Sequence, residues 1–146
     1  MSEPDDERDQ SRSEEEAAPG ITEQERLEAF NKVHALLKRA DKLVKAKQFE
    51  FAVKIYNEQI PPLFKDLGES PIVKREYDRF IAAKTKFYKK WADSLEENAN
   101  SSYLSKDYQR AVNLAEDAVE RLRDAKKVSG EPLDEAKEIA IRNKAK

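Results

Sequence analysis

Apolar side chains recur at steps of three and four residues from residue 21 onward, which is the spacing of one face of an α-helix. No stretch alternates between apolar and polar residues, so no strand is expected. The spacing of Thr22 and Glu25 is typical of a capping box, and Ser70-Pro71 places an N-cap before a first-turn proline. The pattern therefore predicts an all-α chain with four amphipathic helices, at about 22–47, 49–60, 70–97 and 107–127.

Prolines, glycines and small polar residues predict where the helices stop. Pro61-Pro62 must end or kink the second helix, because proline lacks an amide donor and clashes with the preceding turn. One further turn is expected before Gly68, which would cap it in a left-handed conformation. The stretch 98–102 has poor helix propensity and is expected to fray or end the third helix. Gly130 and Pro132 break the fourth helix.

Composition divides the chain into three parts. Residues 1–20 carry eight acids against two arginines and no aliphatic side chain larger than alanine after Met1. We expect this part to be a disordered acidic tail, serving either as a solubilising segment or as a dedicated acidic arm. Residues 21–128 are expected to form a helical-bundle interaction domain, an antiparallel bundle of two helical hairpins. Residues 129–146 are expected to form a weak C-terminal helix, the fifth of the bundle, or a mobile tail.

The residue types present exclude several classes of site. The chain has no cysteine and a single histidine, His34, so thiolate, iron–sulfur and histidine-based metal sites cannot be assembled. Its three glycines lie too far apart for a phosphate-binding loop. No apolar run approaches the roughly 18 residues of a membrane span, and the N-terminal sequence has no features of a secretory signal. We therefore expect a cytoplasmic protein that is not an enzyme and has no catalytic residues, cofactor or metal.

Two segments, 36–58 and 95–117, align without gaps at an offset of 59 residues. The alignment is either a genuine internal repeat or a chance match between helical sequences of similar composition. Each segment has a small residue, an aromatic residue near the predicted turn, and an alanine three positions later. These residues are Ala40, Phe49 and Ala52 in the first segment and Ala99, Tyr108 and Ala111 in the second. A tight helical hairpin would explain the pattern, with alanines at the helix crossing and the aromatic side chain plugging the turn.

This arrangement resembles the tetratricopeptide (TPR) hairpin, with Lys47 and Lys106 standing where glycine is typical. Residues 27–97 also resemble the microtubule-interacting-and-trafficking (MIT) domain, a three-helix bundle. The residues that carry the second resemblance are 45–52 and Tyr56, then 81–84, Tyr88, Ala92, Asp93 and Leu95. Either resemblance implies recognition of short peptides in a groove between helices, and neither implies catalysis.

The third predicted helix carries the candidate partner-binding residues. From Arg79 to Lys90 the sequence has five basic residues and no acid, beside the largest share of the aromatic side chains. A cationic rim beside an aromatic groove would suit an acidic peptide. The alternative is a solvated face, with Lys84 extending past the edge of the core and Trp91 anchoring that core. The candidate contacts are Tyr77, Arg79, Lys84, Lys86, Tyr88, Lys89, Lys90 and Trp91.

The expected function is that of a protein–protein interaction module, an adaptor, scaffold or assembly subunit that binds a short acidic or amphipathic segment in an interhelical groove. The alternative is a structural component, homo-oligomeric or membrane-remodelling. Nucleic-acid binding is less favoured, because the aromatic side chains lie on the stripe expected to be buried and the whole chain is acidic. No small-molecule substrate and no membrane insertion are expected. Tyr103 and Leu104 are expected to plug the last turn rather than to form an exposed apolar spot.

Overall fold

The computed structural model describes residues 21–130 and Ile141, and over these residues the chain forms helices and turns without a strand. The helices, in chain order, are α1 (Glu23–Lys45), α2 (Phe49–Lys54), α3 (Pro61–Phe64), α4 (Pro71–Leu104) and α5 (Tyr108–Ser129). A π-helical segment, Ile55–Gln59, lies between α2 and α3. The predicted all-α bundle of helical hairpins is confirmed for this part of the chain. The proposed tail at 1–20 and most of the segment 129–146 lie outside the described residues.

The described residues divide into two compact units. Unit 1 comprises residues 21–43 and 50–80, and unit 2 comprises residues 44–49, 81–130 and Ile141. Helix α1 therefore belongs mostly to unit 1, and helix α4 mostly to unit 2. Within the described ranges no helix combines the length and the hydropathy that a membrane span requires.

Helix α1 begins in unit 1 where the sequence predicts. The Thr22 N–H donates to Glu25 Oε1 at 2.9 Å, and the Glu25 N–H donates to Thr22 Oγ1 at 3.0 Å, which completes the capping box. The hydrogen bonds with the Thr22 backbone and side chain lower the pKa of Glu25. Farther along α1, Phe30 packs in a buried cluster with Leu67 and Val73, so the apolar face of the helix forms part of the core of unit 1.

The proline pair at 61–62 is preceded by a change of helix type. Over Ile55–Gln59 the helix widens to π geometry, and the Ile60 N–H donates to the Ile55 carbonyl at 3.0 Å. Prolines cannot donate to the carbonyls one turn earlier, and a π turn accommodates that loss while keeping the chain helical. The short helix α3 follows, and Gly68 then adopts the predicted positive φ, at 82°.

The core of unit 2 is made mainly of small side chains from α4 and α5. Its buried residues are Ala92, Ala99, Ala111, Ala115, Ala118, Val119 and Ile141. Alanine side chains allow two helix backbones to approach closely, which the alanine-rich face of the fourth predicted helix had indicated. Ile141 is 2% exposed, so this residue of the C-terminal segment is buried in the core of unit 2.

The prediction that residues 98–102 end the third helix is wrong, because α4 continues to Leu104. Asparagine and serine disfavour a helix interior by only about 0.5 kcal/mol each. Within this stretch Ala99 and Ser102 are buried, and Ala99 is part of the core of unit 2. The free energy of burying this face therefore outweighs the weak local preference of the stretch.

Two turns in unit 2 have the same backbone geometry: turn 1 (residues 46–48), between α1 and α2, and turn 2 (residues 105–107), between α4 and α5. In turn 1, Lys47 has φ 62° and its N–H donates to the Val44 carbonyl at 2.9 Å. In turn 2, Lys106 has φ 66° and its N–H donates to the Tyr103 carbonyl at 3.0 Å. The aligned alanines on either side of the turns are all buried: Ala40, Ala52, Ala99 and Ala111. The aligned segments therefore have the same turn geometry, while the resemblance to TPR and MIT modules stays a prediction.

Candidate functional site

The eight candidate residues are divided between the two units. Tyr77 and Arg79 belong to unit 1, and the other six belong to unit 2. In unit 1 the Tyr77 ring packs edge-on against Phe64, with 5.2 Å between the ring centroids. Arg79 Nη1 lies 3.3 Å from Glu76 Oε2, so the charge of Arg79 is balanced by a carboxylate one turn earlier.

The aromatic residues of unit 2 form a cluster around Trp91. Phe49 and Trp91 stack with their ring planes 5° apart and their centroids 5.8 Å apart, and Phe87 contacts both rings. Tyr88 stacks on Trp91 and is only 7% exposed. Tyr88 therefore lies in the core of unit 2 and offers little surface to a partner.

Trp91 remains partly exposed, and α5 supplies the group that lies over it. The Arg121 guanidinium carbon is 4.7 Å from the centroid of the Trp91 ring, which is the geometry of a cation–π contact. Arg121 Nε lies 3.1 Å from Asp124 Oδ2, as an ion pair without a well-directed hydrogen bond. Arg121 Nε itself is buried, while the side chains of Arg121 and Asp124 as a whole are 28% and 27% exposed, so other parts of both side chains face solvent.

Lys84 completes this group of residues at the seam between α4 and α5. Partial burial lowers the pKa of Lys84, and the nearby Asp124 carboxylate opposes that shift. The expectation that Lys84 lies at the edge of the core agrees with its intermediate exposure. We define the α4–α5 seam as Lys84, Trp91, Arg121 and Asp124; it holds two basic side chains and one acid.

Lys86, Lys89 and Lys90 are exposed but lie on another side of α4. Successive helix residues are about 100° apart, so all three lysines point about 100° or more around the helix from Trp91. Among the described residues, Lys86 and Lys90 form no ion pair. These lysines contribute positive potential to unit 2 from a different side of α4.

The sequence did not indicate Arg121 and Asp124 as contact residues. Both stand in a stretch of α5, Glu120–Asp124, in which four of five residues are charged, as is typical of a solvated helix face. Only the packing of α5 against α4 brings Arg121 over Trp91. No spacing rule in the sequence would have identified this pair.

The end of the α4–α5 hairpin is also more exposed than predicted. Leu104 is 80% exposed, and Tyr103 and Tyr108 are 40% and 50% exposed. The two tyrosine rings contact each other edge to face, with centroids 5.3 Å apart. The prediction that Tyr103 and Leu104 plug the turn is therefore wrong. The short turn packs the two tyrosine rings against each other and leaves all three side chains at the surface of unit 2.

Within residues 21–130 no group of three or more potential metal ligands converges. Comparison of the chain with protein-family models, with curated proteins and with solved structures gave no match. The function proposed below therefore rests on the geometry of the described residues.

Proposed function

We propose that this chain is a cytoplasmic, non-catalytic protein-interaction module, an adaptor or assembly subunit, whose unit 2 binds a short acidic segment of another protein along the α4–α5 seam. The observation that carries the proposal is the placement of the Arg121 guanidinium over a partly exposed tryptophan. Arginine and tryptophan are the residue types most often found at the centre of protein interfaces.

The chemistry of Arg121 supports an acidic ligand. A guanidinium group has five N–H donors, and Asp124 lies beside Nε. The terminal nitrogens remain suited to a bidentate contact with a carboxylate of the partner. The Trp91 ring would provide the adjacent apolar contact, so the segment should alternate acidic and apolar side chains.

The three lysines on the other side of α4 support the same ligand in a different way. Lys86, Lys89 and Lys90 lie within little more than one helical turn and are exposed. Charges that do not touch the ligand still attract it at a distance and speed association, and salt screens that effect. We therefore assign the lysines to attraction of an acidic segment and Arg121 with Trp91 to contact with it.

A binding experiment with the full chain tests the proposal. Trp91 is the only tryptophan of the chain, so its fluorescence reports directly on the seam. Titration with a short peptide of glutamate and leucine should change this fluorescence, and Arg121→Ala should weaken binding by about tenfold or more. K86E/K89E/K90E should weaken binding mainly at low salt. The absence of any binding by the wild-type chain would overturn the proposal.

A matched variant separates a local effect from one of net charge. K32E/K38E/K42E makes the same change of charge on exposed positions of α1 in unit 1. It should leave binding within about twofold of the wild-type value if the attraction comes from the lysines on the helix that carries Trp91, because none of its three positions is on α4. Equal weakening by both triple variants would mean that the peptide binds only through the net charge of the chain. A single-stranded oligonucleotide that displaced the peptide would favour nucleic-acid binding instead.

A further inference from the structure

The exposed end of the α4–α5 hairpin is an apolar surface that the proposed peptide site does not use. We call Tyr103, Leu104 and Tyr108 the apolar tip. Leu104, at 80% exposure, is the most exposed of the large apolar side chains within the described residues. The charged residues next to the tip are Lys106, Asp107 and Arg110, and the Asp107 carboxylate already accepts the Arg110 N–H as the N-cap of α5. The tip is therefore an apolar projection with a mainly basic border.

Unit 1 contains a partly apolar pocket at the start of α1. The pocket has a volume of about 290 Å³ and is lined by Glu23, Gln24, Arg26, Leu27, Phe30 and Ile72. Its apolar wall includes Leu27, which is 52% exposed. Its two charged residues form an ion pair, with Arg26 Nη2 3.9 Å from Glu23 Oε2. The Arg26 side chain is buried and the Glu23 side chain is 91% exposed, so the carboxylate is the charged group of the pair that an incoming surface meets. We call this site the α1 pocket.

The sizes and charges of the two surfaces match. A cavity of about 150 Å³ holds a benzene-sized group, so the α1 pocket has room for the Leu104 side chain and the edge of a tyrosine ring. Insertion would bring Lys106 and Arg110 towards the carboxylate of Glu23. Opposite charges at the border of an apolar contact favour one orientation of the two partners.

We propose that the apolar tip of one copy of this chain inserts into the α1 pocket of a second copy. Two copies can exchange their tips reciprocally in a two-fold pair, or successive copies can add head to tail; both arrangements use the same contact between tip and pocket. The tip exposes an area on the order of 300 Å², well below the roughly 800 Å² per partner of a stable interface. Assembly should therefore be weak and should depend on concentration.

Sedimentation of the full chain tests the assembly. The wild-type chain should associate as its concentration rises towards about 1 mM, as expected for a small interface. Leu104→Asp and Leu27→Asp should each remain monomeric, and their circular dichroism should match the wild type because both side chains are exposed. A wild-type chain that stays monomeric over this range would overturn the proposal, as would continued assembly of either variant.

A mixture of the two variants tests whether the tip and the pocket bind each other. The Leu27→Asp copy keeps its tip and the Leu104→Asp copy keeps its pocket, so an equal mixture should form one-to-one pairs and stop there. Failure of the mixture to pair, while the wild type assembles, would show that the tip and the pocket are not partners. Phe51→Asp is the matched control, since Phe51 is 60% exposed and belongs to neither surface, and it should assemble as the wild type does.

A charge exchange gives a second, milder test. Glu23→Arg and Arg110→Glu should each weaken assembly, and the chain with both substitutions should recover it. A double variant as weak as the single ones would contradict the proposed pairing of these two side chains. Loss of peptide binding at the seam would leave all of these outcomes unchanged, so the two proposals can fail separately.

Discussion

Turn 1 and turn 2 place a lysine in the same left-handed conformation, and each lysine N–H bonds to the carbonyl three residues earlier. Their surroundings differ. Phe49, which follows turn 1, is 9% exposed and stacks on Trp91, whereas the aligned Tyr108 after turn 2 is 50% exposed. The same local backbone therefore carries a core residue in one case and a surface residue in the other. What differs is whether α4 supplies side chains that cover the aromatic ring.

The largest expected effect concerns these two aromatic residues. Phe49→Ala should lower the free energy of unfolding by about 3 kcal/mol, because it removes a buried ring from the cluster around Trp91. Tyr108→Ala should lower it by about 0.5 kcal/mol, as expected for an exposed side chain. Urea unfolding followed by circular dichroism measures both values. Equal losses would mean that the two turns are covered to the same extent in solution.

The alanines at the two helix crossings should respond alike. Ala52→Leu and Ala111→Leu should each lower the free energy of unfolding by about 1–3 kcal/mol, because both methyl groups are fully buried and a larger side chain has no space. Ala82→Leu, at an exposed position of α4, is the control and should have little effect. A large loss at one crossing and none at the other would show that the hairpins are packed differently.

The N-cap positions after the two turns should show a smaller difference in their effect on the free energy of unfolding. The Asp107 Oδ1 accepts the Arg110 N–H at 3.3 Å at the start of α5, so Asp107→Ala should cost about 1 kcal/mol of unfolding free energy. At the aligned position of turn 1 stands Gln48, a residue type that caps helices poorly, and Gln48→Ala should change stability by less than about 0.5 kcal/mol. Thermal unfolding of the two variants checks the difference. A larger loss for Gln48→Ala would reverse the expected order.

The smallest effects are expected at the lysines that the two turns share. A left-handed conformation costs a residue other than glycine about 1–2 kcal/mol. Substitution by glycine removes this strain from the folded state, but it also raises the conformational entropy of the unfolded chain, which cancels part of the gain in stability. Lys47→Gly and Lys106→Gly should therefore each raise the free energy of unfolding by about 0.5 kcal/mol. Lys42→Gly, inside α1, should lower it by about 1 kcal/mol. A loss of stability at either turn would show that its lysine contributes a contact worth more than the strain.

The sequence predicted most of the local structure of the described residues. The capping box at Thr22, the glycine cap at Gly68 and the start of α4 at Pro71 all follow from short-range chemistry, and the structure has each of them. The alignment of the two segments also placed the positive-φ lysines at equivalent positions. Such features depend on a few neighbouring residues, so they can be predicted from the residue types at those positions.

The candidate site was predictable only in part. The basic and aromatic content of α4 was visible, and helical spacing alone separates Lys84 and Trp91 from the lysines on the other side of the helix. The sequence could not show which side chains of α5 would pack against them. Tyr88 was selected for its type, and its burial became evident only from the packing of Phe87 and Trp91 around it. Arg121 was missed because its contact joins residues thirty positions apart.

What the sequence determined by itself is the helical class, the helix starts and the conformation of the turns, since each of these depends on hydrogen bonds and steric contacts within a few residues. Tertiary structure decided how far α4 extends, which turn is covered and which side chains meet at the seam. Those outcomes depend on free energies of burial summed over distant residues. Such sums outweighed the weak local preferences of residues 98–102 and gave the aligned Phe49 and Tyr108 different surroundings.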